Sequence, residues 1–427
     1  MKYRAYFKIK FTALSPLSIG DSVSVQTDRD AVLDSRGMPV IPATAVAGVI
    51  RSRLSPEERD RYFGFIAGMA GGKGGSEREQ KGSELAFYDA ELAAGPDGAP
   101  VSVRDNVALD KYKTAVKGAK FDFQIVEPGA VFVGCAAAET AAAARKLEEL
   151  LASGILYFGS KTTRGYGKVK AEYRLKEFAL EDDGKSVNKE CMEEWLDFDM
   201  FDWEEEGPWL PEASALPEGK TFITLSLRQN GSGLSIRQYY IDEGDAPKKD
   251  SGDKGADYGP VSLLDGTPVI PGTSWAGMFR RRVGEFLKDD ASLKEAFGYV
   301  GGKEDPGKTV KSKISFGESR LLDCSEKQLT RNAIDRFTNG TKQGALYTED
   351  TVYGGHTELE IAIEESVGTA VREALCAAIM DVHYGYAAVG GLTAVGRGLF
   401  RIEGISVNRK PLDSVDFAGL KQEVCNA

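Results

Sequence analysis

The chain has 427 residues and 46.1 kDa, with 54 Lys+Arg against 65 Asp+Glu and a formal net charge of −11. That length predicts two or three domains, and the acidic balance argues against a free, nonspecific DNA binder while allowing a local basic groove on an acidic body. No apolar run reaches the ~18 residues of a membrane helix, the first residues lack the apolar core of a signal peptide, and the five scattered cysteines form neither a Cys-x-x-Cys pair nor a zinc cluster; a soluble, cytoplasmic protein without membrane contact is expected.

Residues 3–14 alternate, with Tyr3, Ala5, Phe7, Ile9 and Phe11 on one face, and predict a strand. A polar loop with Asp28 and Asp30 follows, then a short strand and the turn Pro39-Val-Ile-Pro42. Thr44 is placed as N-cap of a helix through Arg51 and Arg53. Gly68–Ser76 has the look of a phosphate loop. Ala67 nevertheless stands where its first glycine belongs, and Gly74 where the Mg²⁺-binding hydroxyl belongs, so a loop with Lys73 reaching nucleic acid is the better reading. A strand at 85–88, hairpin segments over 101–133 with Arg104, Lys111 and Lys113, and a second helix at 136–153 come next. The turn Gly159–Gly167 then leads into a last strand from Lys168.

Residues 179–218 read as a linker: acidic, with Pro and Gly, and carrying Trp195, Trp203 and Trp209. Indoles at that density find a surface to cover, so a strap packed on its own domains is expected.

The second half repeats the first. Pro39-Val-Ile-Pro-Ala-Thr44 recurs as Pro268-Val-Ile-Pro-Gly-Thr273, 229 residues later. Phe63-Gly64 recurs as Phe297-Gly298, Ser83–Phe87 as Ser312–Phe316, and the Gly159–Gly167 turn as Gly390–Gly398. Collinear matches of this number define a tandem duplication. The units are drawn as 1–178 and 219–407, with 179–218 as linker and 408–427 as a C-terminal tail. Strand, helix, strand, strand, helix, strand in each predicts an α+β fold of two ferredoxin-like, RRM-like βαββαβ units with hairpin insertions.

Three features carry candidate chemistry. The Gly-rich turns let backbone amides approach a phosphate, with Lys161, Thr162, Arg164 and Tyr166 in one copy and Arg397 in the other. The helix starts at Thr44 and at Thr273-Ser274, with Arg51, Arg280 and Arg281 beyond them, offer amides to an anion. The acidic loops, Asp28 and Asp30 in one half and Asp242 through Asp253 to Asp257 in the other, are placed to orient a 2′-hydroxyl or hold a divalent ion. His356 and His383 occur only in the second half and read as structural.

The Pro-Val-Ile-Pro-[Ala/Gly]-Thr-x-x-Ala-Gly-x-x-Arg segment, the Ser-x-x-x-Phe strand and the terminal Gly-rich turn together resemble the RAMP superfamily of CRISPR systems, over nearly the whole chain. The resemblance implies a double backbone subunit of a type III effector complex. Its expected partners are guide RNA, complementary target RNA and other RAMP and effector subunits. In similar subunits an Asp before the Pro-turn cuts target RNA with a divalent metal, Mg²⁺ or Mn²⁺. By its spacing of six residues before Asp34, Asp28 matches that Asp and the metal position, with Asp30 the fallback. In the second repeat the same count falls at Gly259, making Asp257 the nearest acid and Asp253 the next. The hairpins with Lys111 and Lys113, and with Arg331, Arg336 and Lys342, correspond to the family's thumb. Ala47 and Ala276 stand where the family often has Lys, which shifts the guide contact to Arg51, Arg280 and Arg281. Two rival readings stay open: a non-catalytic RNA-binding subunit, and a guide-processing endoribonuclease using His356.

Overall fold

The computed structural model describes residues 3–20, 27–66, 80–95, 100–109, 115–182, 186–203, 208–211, 215–239, 256–301 and 308–426. It resolves into two compact units: 1–104 with 122–160 and 167–217, and 218–427 with 105–121 and 161–166. Both are mixed α+β, and their main sheets are antiparallel but for the parallel pairing of Tyr258–Pro260 with Thr341–Glu364 in the second.

In the first unit the strand Tyr3–Ala13 alternates inward and outward along its length, the period of a sheet with one face on a core. It lies between the strands Lys168–Ala179 and Val131–Ala138. The sheet continues to Ile155–Tyr157 on one side, and through Val131–Ala138 to Leu85–Phe87, Ala90–Ala94 and Val40–Ile41 on the other. It is therefore wider than the four strands expected. Helix α1 (Ala43–Ser52) buries Val46 and Ile50, and α2 (Pro56–Phe63) follows it. Helix α3 (Ala141–Leu151) starts at Thr140, whose hydroxyl accepts from the Ala143 amide. Its buried Ala143, Ala144, Leu147 and Leu151 make one stripe at helical spacing. Together with Phe7, Ile9, Phe11 and Phe132 these form one core.

The strap lies on the other face of that sheet. Its helix α4 (Lys189–Leu196) sends Trp195 Nε1 to the Tyr6 hydroxyl at 2.9 Å. The Lys8 ammonium donates to Trp203 O, and the Cys135 thiol to Met200 O. Trp209 is covered by Lys10 and Arg174, at 4.6 and 4.7 Å from its ring. A sheet face that would otherwise present lysines is thus closed by aromatic rings and backbone carbonyls.

In the second unit the strand Lys220–Gln229 lies between Thr341–Glu364 and Phe400–Val407. Helix α5 (Gly272–Leu287) buries Trp275, Phe279 and Val283 against Phe316 and Phe400. Helix α6 (Asp290–Phe297) follows α5, and α7 (Thr369–His383) packs against it. The described part of the segment drawn as a C-terminal tail, 408–426, carries a strand and a helix. Lys410–Pro411 extends the sheet, and α8 (Phe417–Cys425) seats Leu420 and Val424 in the core against α7. The buried Arg372 guanidinium donates to Val424 O at 2.8 Å, which ties that helix down.

Candidate nucleic-acid interface

Each unit holds an exposed aspartate in the loop before its Pro-turn, and a long hairpin returns beside it. In the first unit the Asp28 amide donates to the Asp122 carboxylate at 2.8 Å, and the Asp122 amide donates to the Asp28 carboxylate at 3.1 Å. Two further bonds fasten the same loop: Gln124 N to Arg29 O at 2.9 Å and Ala31 N to Gln124 Oε1 at 3.0 Å. Asp122 and Gln124 belong to the strand Ala115–Val126, the return limb of a hairpin with Val101–Leu109. In the second unit the Thr348 amide donates to the Asp257 carboxylate at 2.7 Å, and the Asp257 amide donates to Thr348 O at 2.8 Å. Thr348 lies on Thr341–Glu364, the return limb of a hairpin with Leu322–Ile334. Asp28 and Asp257 are therefore structural counterparts.

That pairing corrects the count of six residues back from Asp34 and its apparent partner Asp265, which pointed at Gly259. Val32 N bonds to Ile19 O and Val261 N to Ile236 O; Leu33 bridges Pro39 and Ser262 bridges Pro268. From this loop to the Pro-turn the register is 229, at Val32 and Val261, Leu33 and Ser262, and Pro39 and Pro268, which carries Asp28 onto Asp257 itself. Gly259 instead sits in a short strand opposite Gln238. Asp30 turns inward on its own loop, accepting from the Thr27 amide and hydroxyl at 2.9 and 2.8 Å. Asp253 and the acids from Asp242 lie outside the described residues, as do Lys73, Lys111 and Lys113.

The Gly-rich turns superimpose in their bonding as well as their spacing. Lys161 and Leu392 both take left-handed backbone at φ 60° and 55°, a 3₁₀ turn follows each, and Gly165 and Gly396 close them at φ 88° and 82°. Ser160 N bonds to Ser18 O, and Gly391 N to Ser235 O. A Cβ at Gly159 or Gly390 would collide with those same carbonyls, so glycine is required there. Within the second unit Arg164 is exposed and its carbonyl lies against Gly272, where a side chain would collide with it. Lys161 Nζ stands 5.6 Å from the Phe121 ring, and Thr162 is half-buried. Tyr166 and Arg397 occupy equivalent positions and are both 3% exposed. Arg397 pairs with Glu349 at 2.6 Å and donates to the Thr351 hydroxyl at 3.1 Å. It is thus held inside, away from any phosphate at the surface of the turn.

At the helix starts, Pro42 and Pro271 are the N-caps and neither makes a side-chain cap bond. Thr44 and Thr273 fall inside the first turn instead, with Ser274 beside Thr273, because proline with fixed φ already sets the helix direction at the cap. The amide of Ala43 is taken by the Asp89 carboxylate at 2.6 Å, so the anion site expected there already holds a carboxylate of the chain. Arg51 is exposed, Arg280 donates to Gly298 O at 2.8 Å, and Arg281 pairs loosely with Glu285 at 3.4 Å. Arg104 is buried at 3% exposure.

The second hairpin presents its basic residues outward. Arg336 and Lys342 are exposed, Arg336 stacks 4.7 Å from the Phe337 ring, and Phe337 is 83% exposed. Arg331 points back toward the buried Glu349 at 3.7 Å. Near the hairpin base the His356 ring lies 3.3 Å from Asp323.

The model of the RAMP superfamily matches residues 10–170 and 230–401, most of both repeats. The chain belongs to the RAMP superfamily. No curated protein matches it in sequence. Two solved structures similar to this RAMP chain are chains of "Cryo-EM structure of the Type III-B Cmr-beta bound to cognate target RNA" and "Type III-B Cmr-beta Cryo-EM structure of the Apo state". The first is 16% identical with a TM-score of 0.33 over 41% of this chain and 61% of the other. The second is 14% identical with a TM-score of 0.32 over 39% and 96%. The RAMP chain therefore spans 61% of the first of these.

Among the described residues of this RAMP chain no helix is long and apolar enough to cross a membrane, and no three His, Cys, Asp or Glu side chains group to hold a metal ion. A ready-made metal centre is thus absent among them. Beside the hairpins the described residues bring Asp28 and Asp122 together in the first repeat and place Asp257 in the second. Sequence reasoning missed Asp122 and Glu349. As the one acid of the strand Ala115–Val126, Asp122 carried an available signal, and nothing local marks Glu349.

Proposed function

We propose that this RAMP chain is a guide-RNA-binding backbone subunit of a type III CRISPR ribonucleoprotein, and that it cuts guide-paired target RNA at two positions through Asp28 and Asp257. The observation that carries the reading is the repeated acid on the repeated hairpin. Twice, 229 residues apart, an exposed aspartate is fixed by an amide of the strand returning from the long hairpin. A solvated turn has no need to duplicate that bond. The central strand orders, Lys168–Ala179, Tyr3–Ala13, Val131–Ala138, Leu85–Phe87 in the first repeat and Phe400–Val407, Lys220–Gln229, Thr341–Glu364, Ile314–Phe316 in the second, support a ferredoxin-like unit in each.

Asp28 and Asp257 accept the proton of an attacking hydroxyl, a role that asks for an exposed carboxylate within hydrogen-bond reach of the sugar. The bond from the hairpin strand holds each carboxylate in place before RNA arrives, so less ordering is left for the reactive complex. Asp28 and Asp257 would each hold a divalent ion, Mg²⁺ or Mn²⁺, which would supply Lewis-acid stabilisation of the developing charge. Arg336, Phe337 and Lys342 at the hairpin tip combine a ring and two cations, the pairing that stacks a base and holds its phosphate. Arg51 and Arg281, exposed on the helices after the Pro-turns, hold the guide backbone. The strap covers the sheet face of the first repeat, so RNA runs along the loops and the exposed arginines of the helices instead of the sheet face used by RRM modules.

The test is to co-express the chain with its neighbouring genes and a repeat array, purify the assembly and sequence the RNA it retains. Uniform array-derived guides support the reading. An intact assembly free of RNA contradicts it, and loss of guide maturation on His356→Ala would move the protein to the guide-processing class.

A further inference from the structure

The strap closes one surface and creates another. Residues 180–218 hold 14 acidic and two basic side chains, a net −12 against −11 for the whole chain. The remaining 388 residues are therefore nearly neutral, and the acidity of the protein is a property of this one segment. Its inner side is fixed: Phe198 packs on Tyr6, Phe178 and Trp203 with ring centroids 5.0, 5.2 and 5.6 Å apart. Glu194 pairs with Lys176 at 2.7 Å, and the Phe201 amide donates to the Asp199 carboxylate at 2.9 Å. Its outer side leaves Leu196 and Phe201 69% and 61% exposed, flanking a shallow cavity of 420 Å³ lined by Tyr6 and residues 196–201. Asp197, Asp199 and Asp202 are exposed around it.

Two large apolar side chains held out of a folded surface carry a hydration cost that a partner relieves. Because the backbone beneath them is already ordered, little further entropy is lost when they are covered. The charge decides what covers them. RNA is repelled by carboxylates at this density, whereas lysines and arginines on either side of an apolar anchor meet the rim with complementary sign. We propose that this cavity is a docking site for another protein subunit, taking a segment in which a large apolar side chain is flanked by Lys or Arg. The proposal is independent of target cleavage and of the role of Asp28.

The test places a photo-crosslinking phenylalanine analogue at position 201 of the full chain, co-expressed with the proteins encoded beside it and a repeat array. The expected product is one crosslink to a Lys/Arg-bearing segment of a co-expressed protein. A crosslink to a second copy of this chain, a crosslink to RNA, or no crosslink overturns the proposal. In parallel, Leu196→Ser with Phe201→Ser, and separately Asp199→Lys with Asp202→Lys, are compared with the parent assembly after a salt wash. Retention of the crosslinked subunit falls about tenfold or more in both, as for loss of an interface anchor, while guide RNA is retained. Unchanged retention of every subunit in variants that melt with the parent overturns the proposal, and so does loss of RNA alone.

Discussion

Asp28 and Asp122 hold each other's backbone, each amide donating to the other's carboxylate at 2.8 and 3.1 Å. The second repeat keeps half of that arrangement. Asp257 still accepts from the Thr348 amide, but its own amide donates to the Thr348 carbonyl. The hairpin thus holds the first aspartate partly through the Asp122 side chain and the second through Thr348 backbone atoms, which makes the two repeats separable by mutation.

Asp122→Ala removes the acceptor for the Asp28 amide, and cutting at the first-repeat position is expected to fall roughly 10- to 100-fold, as for a displaced catalytic group. Asp122→Asn keeps a carbonyl oxygen there and retains activity within about threefold, since the hydrogen bond persists. Thr348→Ala leaves the second position unchanged, because both of its bonds are made by backbone atoms. Position-resolved cleavage by the assembled complex checks all three. If Asn fails as badly as Ala, the charge of Asp122 itself is needed and the hydrogen-bond account is wrong.

The Arg397–Glu349 pair is buried, with side chains 4% and 1% exposed at 2.6 Å. Arg397→Met or Glu349→Leu strands the remaining charge in the interior and costs about 3–5 kcal/mol. Replacing both together recovers much of that loss, because no charge is then left unpaired. Calorimetric melting of the three variants reads this. Single substitutions that leave the melting unchanged would contradict a buried, paired Arg397 and restore it as a surface phosphate contact.

Much of the duplication was legible because turn chemistry is local. Pro-Val-Ile-Pro and the terminal glycines need fixed φ values that few other residues supply, so they stay recognisable in both halves. The count onto Gly259 failed for an equally local reason. Asp34 accepts from the amides of Arg36 and Met38, whereas its apparent partner Asp265 accepts from Thr267. The turn acid had moved two residues within a hairpin whose bridges, Leu33 to Pro39 and Ser262 to Pro268, had not moved. Arg397 misled because its partner is 48 residues away in sequence, on a strand read as part of an exposed hairpin. The C-terminal helix was missed because its core contacts, Leu420 and Val424, are too few to show a period in a short segment.

Glu58 closes a capping box at the start of α2, and the Ser55 amide, followed by the Lys146 ammonium, holds its carboxyl down at about 2 from an ordinary 4.5. A depressed folded value means its contribution is complete above pH 4.5 and is lost as the pH falls toward 2. Amide exchange in 56–63 is expected to accelerate over that window relative to α3. Glu58→Gln should flatten that acid response; the same acceleration in the variant would assign it elsewhere.

Phe337 is 83% exposed with Arg336 stacked on it, so Phe337→Ala leaves melting unchanged. It is expected to weaken target-RNA binding by the guide-loaded assembly about tenfold, the scale of one lost base stack. Equal affinity of variant and parent would remove the hairpin tip from the RNA path.

The most direct measurement is a cleavage map of end-labelled target RNA on the guide-loaded assembly with Mg²⁺, for the parent, Asp28→Ala, Asp257→Ala and the double variant. The account predicts two classes of cut, one lost at least about 100-fold with each single substitution and both lost in the double, with guide occupancy unchanged throughout. Cutting that persists at both positions in the double variant would contradict it and leave the chain as an RNA-binding scaffold.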